Sequence, residues 1–454
     1  MAKHEIPYQL TVAGLRTEYL SGETTPHEII REIIIRADRD KEMNIWITAP
    51  DLEFIQPYLD RLAALNPLDY PLWGIPFAIK DNIDLAGIPT TAGCAEYAYT
   101  PAEHAGVVER LVAAGAVPVG KSNLDQFATG LVGTRSPYGE AHNALRPGLI
   151  SGGSSSGSSV AVARGQAAFA LGTDTAGSGR IPAALHGLVG WKPSLGSWPT
   201  LGVVPACASL DCVTVMAHTL EDVLQVDKQA AGYHSGDPWS RRLPLPEEKQ
   251  PQYIAVPAEA PVFYGPFADS YRAAWASSLE ALAGMGIPLV PVDTQLFSEA
   301  AAILYGGPWV AERWADLGSF IEEHPGIAFP VTETVLRSGA AAEYDAASVF
   351  QAMHKLQRFK LEARKLLKDA VLVLPTAGGT WTRDQVREDP VATNSQMGLY
   401  TNHCNLLDLC AVALPAGEAA ELLPFGISVF TPAEKEGQLR AFAKLYSGNE
   451  GGRG

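Results

Sequence analysis

Two glycine-serine segments constrain the fold of this chain more than any other feature. The first reads SGGSSSGSS over residues 151–159, and the second reads GTDTAGSGRIPA over residues 172–183. Between them lies a small-residue stretch, VAVARGQAAFAL, that reads as a helix. Glycine gives backbone freedom and serine adds little volume, so both segments suit tight turns. One such run alone would commonly be a flexible linker. A second turn, flanked by Asp174 and Arg180 and followed by a helix-like start at Pro182, is not what a linker implies. A P-loop does not fit, because the Gly-x-x-x-x-Gly-Lys-Ser/Thr spacing is absent.

Around these turns, short apolar runs alternate with helical patterns. GIPFAIK (74–80), VPVGK (117–121), FALGTD (169–174), YIAVPA (253–258), AVLVLPTA (370–377) and LCAVALPAG (409–417) read as strands. GVVERLVAAGA (106–116) reads as a helix. This alternation predicts an α/β fold, with a central mixed, twisted sheet flanked by helices. Residues 8–64 read as helical. Within them TPHEIIREIIIRADR opens on Thr-Pro and places apolar residues at 29, 30, 33, 34 and 37 on one face.

The expected organisation is therefore a helical N-terminal arm (1–65) and one large domain (66–447). A helical insertion at about 295–366 is expected over the strand ends, with a disordered glycine-rich tail at 448–454. Residues 234–252 read as a polar, proline-rich surface loop. The apolar face of the arm suggests a homodimer.

Charge and cysteine content narrow the function. The net charge is −16, which disfavours nucleic acid and anionic lipid as partners. It also means that an anionic substrate would need a local arginine to hold it. No apolar run reaches the length of a membrane span. The 5 cysteines are scattered, with no CxxC. Neither a disulfide framework nor a zinc site is expected, and a cytoplasmic setting fits.

Ligands in open α/β sheets gather beyond the carboxyl ends of strands. Lys80, Lys121 and Asp174 all sit at such ends. Two serines on glycine turns and one lysine at a strand end suggest a nucleophile, a proton shuttle and a base. A serine hydroxyl needs a neighbour to take its proton. His186 follows the second turn by several residues and reads as structural or surface. A lysine can serve instead if burial lowers its pKa. The backbone N–H groups of Thr175, Ala176, Gly177 and Ser178 are candidates for an oxyanion hole.

These residues, with KDN at 80–82 and PTTAG at 89–93, resemble the amidase signature family, strongly over roughly 70–215. The resemblance implies a single amidase-signature domain and a Ser–cis-Ser–Lys triad that cleaves amides through an acyl-enzyme. By position, Ser178 matches the nucleophile, Ser154 the relay serine in a cis peptide, and Lys80 the base. The resemblance implies no metal and no organic cofactor.

One departure is Gly179, which stands where the family has an aliphatic residue. The DTAGSGR variant, VPACASLDC (204–212), YGGPWVAERW (305–314) and NLLDLCAVALPAG (405–417) resemble the allophanate hydrolase subfamily. There a tyrosine and an arginine bind the substrate carboxylate; the matching positions are Tyr305 and Arg313. Gly306-Gly307-Pro308 is expected to interrupt the helix between them.

The function so implied is hydrolysis of allophanate, a small anionic amide, to ammonia and N-carboxycarbamate, within urea breakdown. The alternatives are an amidase acting on a neutral amide, a glutaminase component of the glutamyl-tRNA amidotransferase type, and an inactive scaffold. Allophanate hydrolases also carry a further C-terminal domain, so a truncated or short form is expected here.

Overall fold

A computed structural model describes residues 6–244 and 247–450. Its described residues build one sheet from eleven strands. In chain order they are β1 (Trp46–Thr48), β2 (Pro76–Lys80), β3 (Val117–Ser122), β4 (Phe169–Asp174), β5 (Val189–Lys192), β6 (Cys212–Ala217), β7 (Tyr253–Pro257), β8 (Leu289–Val292), β9 (Ala370–Pro375), β10 (Leu409–Ala420) and β11 (Leu423–Pro432). Across the sheet the order is β1-β3-β2-β4-β6-β5-β10-β11-β9-β7-β8. The sheet is mixed, as expected. β2 runs parallel to β3 and β4, and β7 runs parallel to β8 and β9. The central strands β4, β6, β5, β10, β11 and β9 are joined antiparallel. Strands β2, β3, β4, β5, β6, β9 and β11 are buried along their whole length, so both faces are covered.

The N-terminal arm is more than helical. It carries β1, which pairs antiparallel with β3 at the sheet edge. Helix Pro26–Arg39 starts with the expected Thr-Pro entry. Thr25 Oγ1 accepts the Glu28 N–H, and the Glu28 carboxylate accepts the Thr25 N–H. Ile29, Ile30 and Ile33 are fully buried in the core shared with β2, β3 and β4. Ile34, on the same apolar face, is partly buried against that core.

The stretch between the two glycine-serine turns also folds differently from its sequence reading. Its helix begins earlier, at Ser156, and ends at Ala163. Gly165, at φ +63°, closes the turn, and Phe169–Leu171 belong to β4. The serines of the first segment are buried and anchored instead of solvated. Ser158 Oγ contacts Ser122 Oγ at 2.8 Å and donates to the Leu171 carbonyl at 2.9 Å. A Cβ at Gly157 would lie 2.3 Å from the Ile45 carbonyl oxygen, so only glycine lets the helix approach this closely.

The 295–366 region is helical, as expected: Gln295–Tyr305, Val310–Glu323, Pro330–Ser338 and Ala346–Leu366. Gly306-Gly307-Pro308 breaks the chain between the first two. The described part of 234–252 carries no helix or strand. The expected disordered tail begins at 448. Residues 448–450 continue the helix Glu436–Glu450, and 451–454 lie outside the described residues. Among the described residues no helix is long and apolar enough to cross a membrane.

Candidate active site

Lys80 is the last residue of β2, and β2 runs beside and parallel to β4, which ends at Asp174. Both therefore open at the same end of the sheet. Lys80 is fully buried, and its Nζ donates to Ser154 Oγ and to Thr173 Oγ1, each at 2.7 Å. Burial pulls its pKa down to about 7. The carboxylates of Asp125, Asp211 and Asp174 act in the opposite direction but do not outweigh desolvation. The fold thus holds an amine that is half neutral near pH 7.

Ser154 follows a cis Gly153–Ser154 peptide. Its carbonyl accepts the Asp125 N–H at 3.1 Å. The neighbouring Ser155 N–H reaches the Ser178 carbonyl at 3.4 Å, which sets the two glycine-serine turns side by side. Ser178 Oγ itself turns to the Gly130 carbonyl, at 3.4 Å, and not to Ser154. So the Lys80–Ser154 link is closed, and the Ser154–Ser178 link is open in this rotamer. A 3.4 Å contact lies beyond the strong range for a hydroxyl donor and holds Ser178 weakly.

Asp174 organises the second turn. It grips Arg180 with both carboxylate oxygens, at 2.9 and 3.0 Å, and also accepts the N–H groups of Gly177 (2.8 Å) and Gly179 (3.2 Å). This corrects the expected oxyanion hole. The Gly177 N–H is committed to Asp174, which leaves Thr175, Ala176 and Ser178 as candidate donors. Gly177 has φ +132°, a conformation open to glycine, and a Cβ there would meet Thr401 Oγ1 at 2.3 Å. At Gly179, the departure from the family pattern, a Cβ would meet Thr214 Oγ1 at 2.4 Å. Thr214 fills the space that an aliphatic side chain would need.

His186 is structural. It is buried between the Pro182 carbonyl (Nδ1, 2.8 Å) and the Ala144 N–H (Nε2, 3.2 Å). Desolvation lowers its pKa to about 4, which keeps it neutral. Lys121 does not reach the serines. It pairs with Asp81 at 3.3 Å and donates to Thr90 Oγ1 at 3.0 Å.

Tyr305 and Arg313 come together across the Gly-Gly-Pro break. Arg313 is 1% exposed, and its Nη2 donates to Tyr305 Oη at 3.1 Å. Its Nη1 donates to Thr129 Oγ1 at 3.0 Å. The next residue, Gly130, supplies the carbonyl that Ser178 contacts. One peptide unit therefore separates the arginine's anchor from the serine's. Glu312 fixes this helix by accepting the Ser209 N–H and hydroxyl, both at 2.7 Å.

Sequence reasoning misses Thr173, Asp125, Thr129 and Gly130. Thr173 lies within the GTDTAGS segment, but nothing in its own residue type marks it as a partner of the lysine. A separate cavity of about 770 Å³ contains none of the site residues. Its arginines and lysines are largely paired, Arg440 with Asp227 and Glu436, and Lys444 with Glu248.

Residues 28–439 match the family model Amidase. The chain belongs to the amidase family. It is 40% identical to the urea amidolyase of Saccharomyces cerevisiae over 412 residues, 89% of this chain but 22% of that protein. The allophanate hydrolase of Kluyveromyces lactis superposes with a TM-score of 0.88 at 37% identity, covering 96% of this chain and 72% of that one. The 2-amino-5-chloromuconic acid deaminase of Comamonas testosteroni is 31% identical, covering 82% of this chain and 81% of that one. The chain spans about a fifth of the length of the curated urea amidolyases it matches. Family and neighbours make it an amidohydrolase that acts on a C–N bond.

Proposed function

We propose that this domain hydrolyses allophanate, releasing ammonia and N-carboxycarbamate. The observation that carries the reading is the position of Arg313. A buried guanidinium that, among the described residues, donates only to hydroxyls, one peptide unit from the serine's anchor, is suited to an anionic substrate. Likeness to an allophanate hydrolase and to urea amidolyases supports the same substrate.

In the proposed reaction Lys80 is neutral and draws the Ser154 proton across their 2.7 Å contact. Ser178 leaves the Gly130 carbonyl, turns to Ser154 and gives it its own proton. Catalytic hydrogen bonds commonly tighten only once substrate is in place. Ser178 Oγ then attacks the terminal carbonyl carbon of allophanate, forming a C–O bond. The tetrahedral oxyanion is held by N–H groups drawn from Thr175, Ala176 and Ser178. The C–N bond breaks, and the proton on Lys80 returns through Ser154 to the leaving ammonia. Water then attacks the acyl-enzyme by the same route and frees Ser178. Tyr305 and Arg313 hold the carboxylate throughout.

The test is ammonia release from allophanate set beside biuret, its neutral isostere with an amide in place of the carboxylate. The reading expects strong preference for allophanate. Equal kcat/KM for the two substrates would remove the anionic-substrate assignment while leaving the amidase chemistry in place.

A further inference from the structure

Arg313 is not the only buried guanidinium at this place. Arg135, on the loop that also carries Asp125, Thr129 and Gly130, is 3% exposed. Its Nη1 donates to the Thr129 carbonyl at 3.1 Å, and its Nη2 donates to the Pro390 carbonyl at 2.7 Å. The two arginines therefore hold opposite ends of one residue: Arg313 takes the Thr129 hydroxyl and Arg135 the Thr129 carbonyl. Each acts electrostatically near Tyr305. Both keep a buried Nε–H with no partner among the described residues.

Two cations buried close together repel, and each has lost its hydration. Such an arrangement normally holds carboxylates between them. Here the carboxylates that act on them, Asp125 on Arg135 and Asp211 and Glu312 on Arg313, accept backbone N–H and hydroxyl groups and make no hydrogen bond to either guanidinium. Asp125 accepts the N–H groups of Gly133 (3.0 Å) and of Arg135 itself (2.8 Å). Asp211 accepts those of Ala206 (2.7 Å) and Cys207 (3.1 Å), with the Thr175 hydroxyl. Glu312 is bound to Ser209. Among the described residues the guanidinium groups themselves donate to neutral oxygens only.

We infer that Arg135 is a specificity-determining residue, the second cation of a two-arginine anion pocket coupled to Arg313 through Thr129. This rests on the anionic-substrate reading above. Arg313 and Tyr305 would grip the carboxylate. Arg135 would add field from behind and fix the Thr129–Gly130 peptide, so that anion binding and the Ser178 contact are set by one rigid unit. A neutral amide gains nothing from the added field, so Arg135 selects for charge.

The test measures kcat and KM for allophanate and for biuret in the wild type, Arg135→Gln, Arg135→Lys and Arg313→Gln. Arg135→Gln should cut the allophanate-to-biuret ratio of kcat/KM by at least about tenfold, the low end for removing one buried charge from an anion site. The loss should fall mainly in KM. Arg135→Lys, which keeps the charge but not the fork, should restore much of the ratio. If Arg135 were only a strut between Thr129 and Pro390, Gln and Lys would lower both substrates alike and leave the ratio unchanged; that result would overturn the inference. Should Arg135→Gln fail to fold, Arg135→Met takes its place, because it also removes the charge while keeping the stem; a ratio no lower than that of Arg135→Lys would contradict a charge role. A wild type without preference for allophanate would instead overturn the substrate reading, and the Arg313→Gln control separates that case from failure at Arg135 alone.

Discussion

At the scale of single residues, the proposed chemistry reduces to a buried amine and two hydroxyls. Ser178→Ala should reduce ammonia release to background, because no other described side chain occupies its position beside the Gly130 carbonyl. Lys80 gives a pH signature. Since kcat/KM reports the ionisation of the free enzyme, its acid limb should fall with a midpoint near pH 7, where burial has placed the Lys80 pKa. The same shift is linked to stability. The unfolded chain keeps the lysine protonated up to roughly pH 10.4, whereas the folded chain releases that proton at about 7. Between those values the unfolded state binds more protons, so this residue makes stability rise with pH. The destabilising effect is full below the folded pKa and fades as pH climbs toward the unfolded one. Lys80→Met should remove that slope. The measurement is the difference in urea unfolding free energy between wild type and variant at pH 7 and pH 10; a constant difference would refute a depressed Lys80 pKa.

At the scale of elements, the turn between β4 and the helix Arg180–Ala184 is where sequence and packing are most tightly matched. Gly179 and Thr214 form a size-complementary pair across β6. Gly179→Ala should destabilise the protein by about 1–3 kcal/mol through overpacking. The double variant Gly179→Ala with Thr214→Ala should recover part of that loss, which a double-mutant cycle would show as coupling of at least about 0.5 kcal/mol. Additive losses would mean that Thr214 is not what excludes a side chain there. Legibility in the sequence follows similar lines. Strands β2, β3, β4, β7, β9 and β10 are readable because each is an apolar run stopped by lysine, proline, glycine or aspartate. β11 is not, because Pro424 and Gly426 interrupt a strand buried on both faces, so neither alternation nor a clean run marks it. β1 is three residues inside a helical region and becomes a strand only through pairing with β3. In the site, Ser154 and Ser178 stand out through their glycine-rich settings, and Lys80 through its place at a strand end. Asp125, Thr129 and Arg135 do not, because their roles arise only when residues 125–135 fold against turns far along the chain.

At the scale of the whole molecule, the arm and the candidate site are mechanically joined. Asn123, just past β3, donates its N–H to the Ile45 carbonyl of the arm at 2.9 Å, and its carbonyl accepts the Gly157 N–H of the helix after Ser154 at 3.0 Å. The arm therefore braces the helix that follows Ser154 through one residue. Ile33, fully buried in the shared core, should cost about 2–5 kcal/mol when truncated to alanine. Its neighbour Ile35 is 62% exposed, and Ile35→Ala should stay within about 0.5 kcal/mol of wild type. If the arm were a separable outer layer, Ile33→Ala would melt it first, and helical signal would be lost at lower urea than activity. Because β1 and Asn123 tie the arm to the sheet and to Ser154, loss of helix and loss of ammonia release should instead shift together to lower urea. Circular dichroism and activity followed through the same titration distinguish the two outcomes, and a variant that keeps full activity after its arm signal has gone would show that the brace does not reach the site.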